Sequence, residues 1–283
     1  MKIFIHTDLE GAVNVDNMEM THAGKGDTDY AYENLVKDVN AAVEGACVAG
    51  ATEITVLDSH GGGNGFNPTQ LDSRAKYDFN GLLLAVRKEC TALKYAPADF
   101  DVNSPKKWWG SLDESYAATF FIGAHPMAGT LDGFLDHTFS SQQWYNYYIN
   151  DKKHGEMGMW ATVCSHYKVP FIMMSGDEAA CEEARSFFPD VETAAVKKGV
   201  GRNTCVMYDP EESRKKIRDA AYNAVMKLKQ GIYKPYKVDF PANVKLELYR
   251  SDFCDAIAKK EGLTRLDART VTKTAQTGLD ILF

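Results

Sequence analysis

Five short stretches of the chain carry side chains suited to a divalent cation: Asp8-Leu9-Glu10, Asp58-Ser59-His60, His125, Asp136-His137 and Glu156. Residues two apart on an extended segment point to the same side, so Asp8 pairs with Glu10 and Asp58 with His60. Two adjacent carboxylates repel unless a cation lies between them. Any one of these pairs is equally readable as a helix cap or a solvated loop. Their convergence is what points to chemistry. Two divalent cations set against Asp8, Glu10, Glu156 and a bridging hydroxide leave a charge near zero, which suits a partly buried site. Imidazoles mixed with carboxylates favour zinc over magnesium or manganese. Paired metals can activate a shared water and clamp a carbonyl oxygen, so the chemistry expected is metal-assisted hydrolysis.

The seven histidines can be sorted by context. His6 lies inside a β-rich run and reads as a packed core residue. His22 and His154 sit among polar neighbours and read as exposed. His166 ends a helical stretch, where an imidazolium complements the helix dipole. His60, His125 and His137 are left as site candidates.

These residues need elements that bring them together. Residues 2–8 form a short β-rich run, 28–48 repeat apolar residues at helical spacing, and 53–58 form a second strand: a βαβ unit, right-handed by rule. Further strands are expected at 118–123, 144–149, 169–175 and 191–196. Helices are expected near 80–89, from 155 or 156 to 166, and from the Asp177 cap through 188. The near-continuous apolar strands predict an α/β fold with a mostly parallel sheet flanked by helices. Ligands in such sheets bind beyond the carboxyl ends of the strands, where Asp8, Asp58 and His125 fall. A break near Gly199-Val200-Gly201 divides an α/β metal-binding catalytic domain, 1–200, from a smaller α+β C-terminal domain, 201–283. The second holds a helix at about 210–230, a linker with Pro235 and Pro241, a strand at 244–249, a helix at 253–261 and a β-rich tail.

Composition narrows the function classes. The chain has 283 residues, 45% hydrophobic and 25% charged, which are ordinary globular values. Its 32 basic and 39 acidic residues leave a net charge of −7, so a nucleic-acid partner is not expected. The six cysteines form no CxxC and are expected to stay reduced in a cytoplasmic protein. No run reaches the ~20 apolar residues of a membrane span, and the N-terminal run is too short for a signal peptide. The glycines at 61–65 follow a strand but lack the spacing of a dinucleotide loop, and Pro68 interrupts any helix start. No GxxxxGK[ST] or GxSxG occurs.

Taken in order, Asp8-Leu9-Glu10-Gly11, Asp58-Ser59-His60, Gly123-Ala124-His125, His137 and Gly155-Glu156-Met157-Gly158 resemble the DppA-like zinc-dependent D-aminopeptidases, dizinc peptidases that remove N-terminal D-amino acids from short peptides. The resemblance runs from residue 1 to about 200 and continues more weakly beyond, with Ala195-Val196-Lys197 before the boundary. It implies that Asp8, Glu10, His60, His125 and Glu156 bind two Zn2+ per chain, with Asp8 bridging. It implies that His137 is the catalytic histidine. It also implies a homo-oligomer, a pentamer-based, decamer-like ring admitting only short peptide substrates. Residues 61–115 look longer than in the family. Pro126 and Met127 follow His125 where an arginine is expected nearby, and Asp136 replaces a serine. These departures bear on the substrate, its stereochemistry included, more than on the metal. Two other readings fit the same residues: a metal-dependent amidohydrolase acting on another small amide, and a non-enzymatic ring-forming metal-binding module.

Overall fold

The computed structural model describes residues 1–22, 25, 27–63, 65–81 and 91–283. Strand β1 (Lys2–Thr7) alternates its side chains between two apolar environments, because both faces of its sheet are covered. Ile3 and Ile5 enter one core and Phe4 the other. The same division holds in β2 (Glu53–Asp58) and β4 (Ala118–Ala124), where Ile54, Val56, Phe120 and Ile122 face one way and Leu57 and Phe121 the other. With β3 (Ala75–Tyr77), β7 (Phe171–Asp177), β8 (Glu192–Gly201) and β9 (Thr204–Met207) they form a seven-stranded sheet, ordered β3-β2-β1-β4-β7-β8-β9. All pairs are parallel except β8 with β9.

Helix α1 (Thr28–Val48) is the βαβ crossover. It buries Leu35, Val39, Ala42, Val43 and Ala46 on one stripe against the sheet. Helix α4 (Pro210–Lys229) lies beside it on the same face, burying Ile217, Ala220, Ala221, Ala224 and Val225. It begins where Asp209 accepts hydrogen bonds from the N–H groups of Glu211 and Glu212, with Pro210 at its first position. Helix α3 (Glu178–Phe187) starts on the Asp177 cap, whose carboxylate accepts from Ala180 N, and packs on β7 and β8.

The opposite face meets helix α2 (Glu156–His166). Every residue from Met157 to Cys164 is buried, as a helix enclosed on all sides requires. Beyond it stands an antiparallel five-stranded sheet, built from β5 (Trp144–Ile149), β6 (Lys152–Lys153), β10 (Ala242–Leu248), β11 (Thr264–Arg265) and β12 (Thr270–Ala275) in the order β11-β12-β10-β5-β6. Its Trp144, Tyr147, Val244, Leu246 and Val271 share one apolar core with α2 and the parallel sheet. The architecture is therefore α/β, with a mostly parallel sheet flanked by helices and a smaller antiparallel sheet.

The two sheets exchange segments across the division expected at residue 200. β5 and β6 come from before it, and α4 comes from after it yet packs on the parallel sheet. The expected helix at 80–89 falls mostly outside the described residues; Phe79–Gly81 is a single 3-10 turn. The helix expected at 253–261 is α5 (Ser251–Ile257). Among the described residues, no helix is long and apolar enough to cross a membrane, and the five cysteines are free thiols.

Candidate metal centre

β1 pairs with β2 on one side and with β4 on the other, so the chain reverses its winding direction around β1. That switch point opens a crevice beyond the carboxyl ends of the strands. Asp8 follows β1, His60 follows β2 by two residues, and His125 follows β4 directly. Glu156 is the first residue of α2, and His137 comes from the loop between β4 and β5. Two glycines let these ends meet. A Cβ on Gly11 would stand 2.0 Å from the carbonyl oxygen of Ala124, and one on Gly123 would stand 2.1 Å from that of Asp8. Gly123 also has φ +81°, which side chains resist. Gly11 N donates to Gly123 O at 2.8 Å and Asp8 N to Ile122 O at 2.9 Å. The Asp8–Glu10 turn is thereby fixed against His125.

The sequence-predicted residues come together. Asp8 Oδ1 lies 3.0 Å from His60 Nδ1, and Asp8 Oδ2 lies 3.2 Å from His125 Nε2. Glu10 Oε2 is 3.2 Å from His60 Nδ1. Glu156 Oε1 is 3.3 Å from His125 Nε2 and 3.6 Å from His137 Nε2. One carboxylate, Asp8, therefore turns its two oxygens toward two different imidazoles. Candidate ligand atoms of Asp8, Glu10 and His125, and of His125, His137 and Glu156, lie within 4.8 Å of one another.

Each imidazole is held by its far nitrogen. His60 Nε2 meets Thr21 O at 2.8 Å, His125 Nδ1 meets Pro126 O at 3.0 Å, and His137 Nδ1 meets Leu135 O at 2.8 Å. A carbonyl only accepts, so these nitrogens carry the protons. In the neutral rings of His60 and His125, the near nitrogen then aims a lone pair at two carboxylate oxygens. With a second proton, each ring becomes a cation between them. Either way, the space among these atoms requires positive charge. Among the buried polar atoms of the described residues, Glu10 Oε2 and His125 Nε2 have no hydrogen-bond partner. Oxygen and nitrogen donors that close, oriented from behind by main-chain carbonyls, fit a zinc site.

The electrostatics agree. Burial alone would lower His60 and His125. The carboxylates of Glu10 and Asp8 beside the first, and of Glu156 and Asp8 beside the second, outweigh it and raise both well above the ordinary value. Burial likewise opposes ionisation of Glu156, but His125, His137 and the Phe139 N–H hold it down at about 2. The same field that retains protons here would retain a divalent cation.

Around the cluster stands a supporting shell. Asp58 is fully buried and accepts from His60 N at 3.2 Å, and burial raises it to about 7. It braces the turn that carries His60, and its Oδ2 is buried without a hydrogen-bond partner among the described residues. Asp136 accepts from Gly129 N at 2.6 Å and shapes the loop before His137. His6 is buried as expected, stacked on Trp160 at 4.1 Å with Nδ1 3.0 Å from Ser59 Oγ; burial lowers it to about 3. His154, expected on the surface, is buried between Lys152 O at 2.7 Å and the Tyr236 hydroxyl at 3.0 Å, because β6 and the segment around Tyr236 close over it. His22, also expected to be exposed, is half-buried and lines the cavity. His166 is exposed at the end of α2.

Sequence reasoning gave no role to Lys197. It is completely buried on β8 and donates to Glu10 O at 2.7 Å and Val15 O at 2.5 Å. Burial pulls it down to about 8, against the pull of nearby Asp177 and Asp38. A bulge explains why the pattern hid it. Gly176 pairs with Ala195 and Asp177 with Lys197, so one residue is skipped and the alternation breaks. The cluster opens into a cavity of about 590 Å³, whose lining includes His137, Phe139, Trp108 and Met159.

A family model described as D-aminopeptidase matches residues 1–77 and 104–282. A curated D-aminopeptidase of Bacillus subtilis (strain 168) is 28% identical over 215 residues, 75% of this chain and 69% of that protein. Among solved structures, the Zn-dependent D-aminopeptidase DppA from Bacillus subtilis, described as a self-compartmentalizing protease, shares the fold with a TM-score of 0.85. It is 23% identical, and the match covers 99% of this chain and 94% of that one.

Proposed function

This chain belongs to the D-aminopeptidase family, and on that premise we propose that it releases N-terminal D-amino acids from short peptides at a dizinc site. It is a metal-dependent peptidase. Asp8, Glu10, His60, His125 and Glu156 would hold the two zinc ions, with Asp8 shared between them. The observation that carries this reading is the division of the Asp8 carboxylate between His60 and His125. When bound, the ions supply a Lewis acid for the scissile carbonyl and a water acidic enough to act near neutral pH.

The chain's own residues do the rest. The cavity of about 590 Å³ has the size of a small-ligand site. It admits a short peptide with its scissile bond beside the cluster. His137 lines the cavity, and its ring lies 3.8 Å from that of His125 at an interplanar angle of 14°. With Nδ1–H committed to Leu135 O, its Nε2 can take a proton from the attacking water and return it to the leaving amine. At 3.6 Å its distance to Glu156 is too long for a hydrogen bond that would occupy it. Assembly into a closed homo-oligomer, as the relative's self-compartmentalizing description suggests, would limit access to short peptides.

Two variants test the division of labour. His137→Ala should keep its zinc and lose roughly 10²–10⁴-fold in kcat on a D-alanyl dipeptide. Glu156→Ala should lose zinc as well as turnover. Full metal content in Glu156→Ala, or zinc loss in His137→Ala, would reverse these assignments.

A further inference from the structure

Away from the cluster, the cavity changes character. Outside the carboxylates and imidazoles, the described residues of its lining carry no charged side chain. Trp108, Phe139 and Met159 give it apolar surface. The indole of Trp108 lies 6.2 Å from that of Trp160, centroid to centroid, and Trp160 stacks on His6 at 4.1 Å. His6 lies in β1, two residues before Asp8, which follows that strand. An aromatic series therefore runs from Trp108, through fully buried Trp160 behind the lining, to His6 at the metal end. Buried Met159, next to Trp160 on α2, extends it.

The loop that carries Trp108 is anchored by residues outside the family match, which skips 78–103. Ser111 donates to Asp78 Oδ2 through both N and Oγ, at 2.6 and 2.8 Å, and Lys107 N donates to Asn80 O at 3.2 Å. Gly81, from the same unmatched stretch, lines the cavity itself. Trp108 is thus positioned by the part of the chain that departs from the family.

Building on the peptidase reading, we infer that Trp108, with His6 and Met159, forms a specificity subsite for an aromatic or large aliphatic side chain on the substrate residue that contributes the scissile carbonyl. A lysyl or glutamyl side chain there would lose its hydration against the apolar surface of Trp108 and Met159. An alanyl side chain would leave the indole face unfilled.

The test compares zinc-loaded wild type, Trp108→Ala and Trp108→Phe on D-Phe-Gly, D-Leu-Gly, D-Ala-Gly, D-Lys-Gly and D-Glu-Gly. Wild type should have its highest kcat/KM on the phenylalanyl and leucyl substrates. Trp108→Ala should lower the ratio of kcat/KM for D-Phe-Gly over D-Ala-Gly by roughly 10–100-fold, and Trp108→Phe should retain most of it. A wild-type preference for D-Ala-Gly or a charged residue, or a ratio unmoved in Trp108→Ala, would overturn the subsite. Calorimetric titration with D-phenylalanine and D-alanine separates this failure from that of the peptidase reading. Phenylalanine binding that weakens in Trp108→Ala without any turnover would keep the subsite and reject the activity. No preference for phenylalanine over alanine in binding would reject the subsite whatever the turnover.

Discussion

In the seven-stranded sheet, every strand from β3 to β8 runs in one direction, so their carboxyl ends share one edge. In the five-stranded sheet, neighbours alternate. Asp8, Glu10, His60 and His125 all come from loops leaving the parallel sheet. The antiparallel sheet supplies none of the cluster, and instead backs α2, whose first residue is Glu156. Parallel strands bring residues distant in sequence to one edge; antiparallel strands divide theirs between two. One sheet therefore carries the chemistry while the other holds a helix end against it.

Substitutions in the two regions should separate cleanly. The largest effect is expected for Asp8→Ala, which removes the carboxylate facing both imidazoles. Activity and both zinc ions should be lost, as elemental analysis would show; retention of one full equivalent would deny Asp8 its shared role. Lys197→Met comes next. It leaves the fold's core apolar but frees the carbonyls of Glu10 and Val15, so zinc affinity in a chelator competition should fall roughly 10–100-fold. In the other sheet, fully buried Leu246→Ala should cost about 2–5 kcal/mol of stability in denaturant unfolding. Its zinc stoichiometry and kcat per folded molecule should not change. Zinc loss in folded Leu246→Ala would break the comparison.

The smallest effect concerns pH. Glu183 on α3 accepts from Met127 N at 2.7 Å, but its other oxygen is buried without a partner. Burial raises its pKa to about 7. A carboxyl whose folded pKa lies above its unfolded one binds its proton more tightly in the native state. Its contribution therefore declines as pH rises from the ordinary glutamate range through about 7. Glu183→Gln should remove that decline, on the order of 1–3 kcal/mol, in the metal-free protein between pH 5 and 8. An identical pH profile for wild type and variant would contradict the assignment.

Local signals were legible in the sequence where local physics decides them. The α1 stripe, the Asp177 cap and the Pro210 start of α4 appear where spacing and capping residues place them. The strand-end motifs were legible because a parallel sheet fixes which end of each strand faces the site. Non-local pairing was not. β5 reads as a strand, but nothing in 144–149 says that it pairs with β10, nearly a hundred residues later. The burial of His154 depends on Tyr236 in the same way. Lys197 was hidden by a bulge, and the placement of Trp108 by hydrogen bonds to Asp78 that no periodicity encodes.

The most direct measurement is zinc per chain in the purified, unchelated protein, by elemental mass spectrometry. The geometry around Asp8 predicts two ions per chain. No bound metal, with none regained on titration with zinc, would contradict the metal centre and leave the cluster as polar structure.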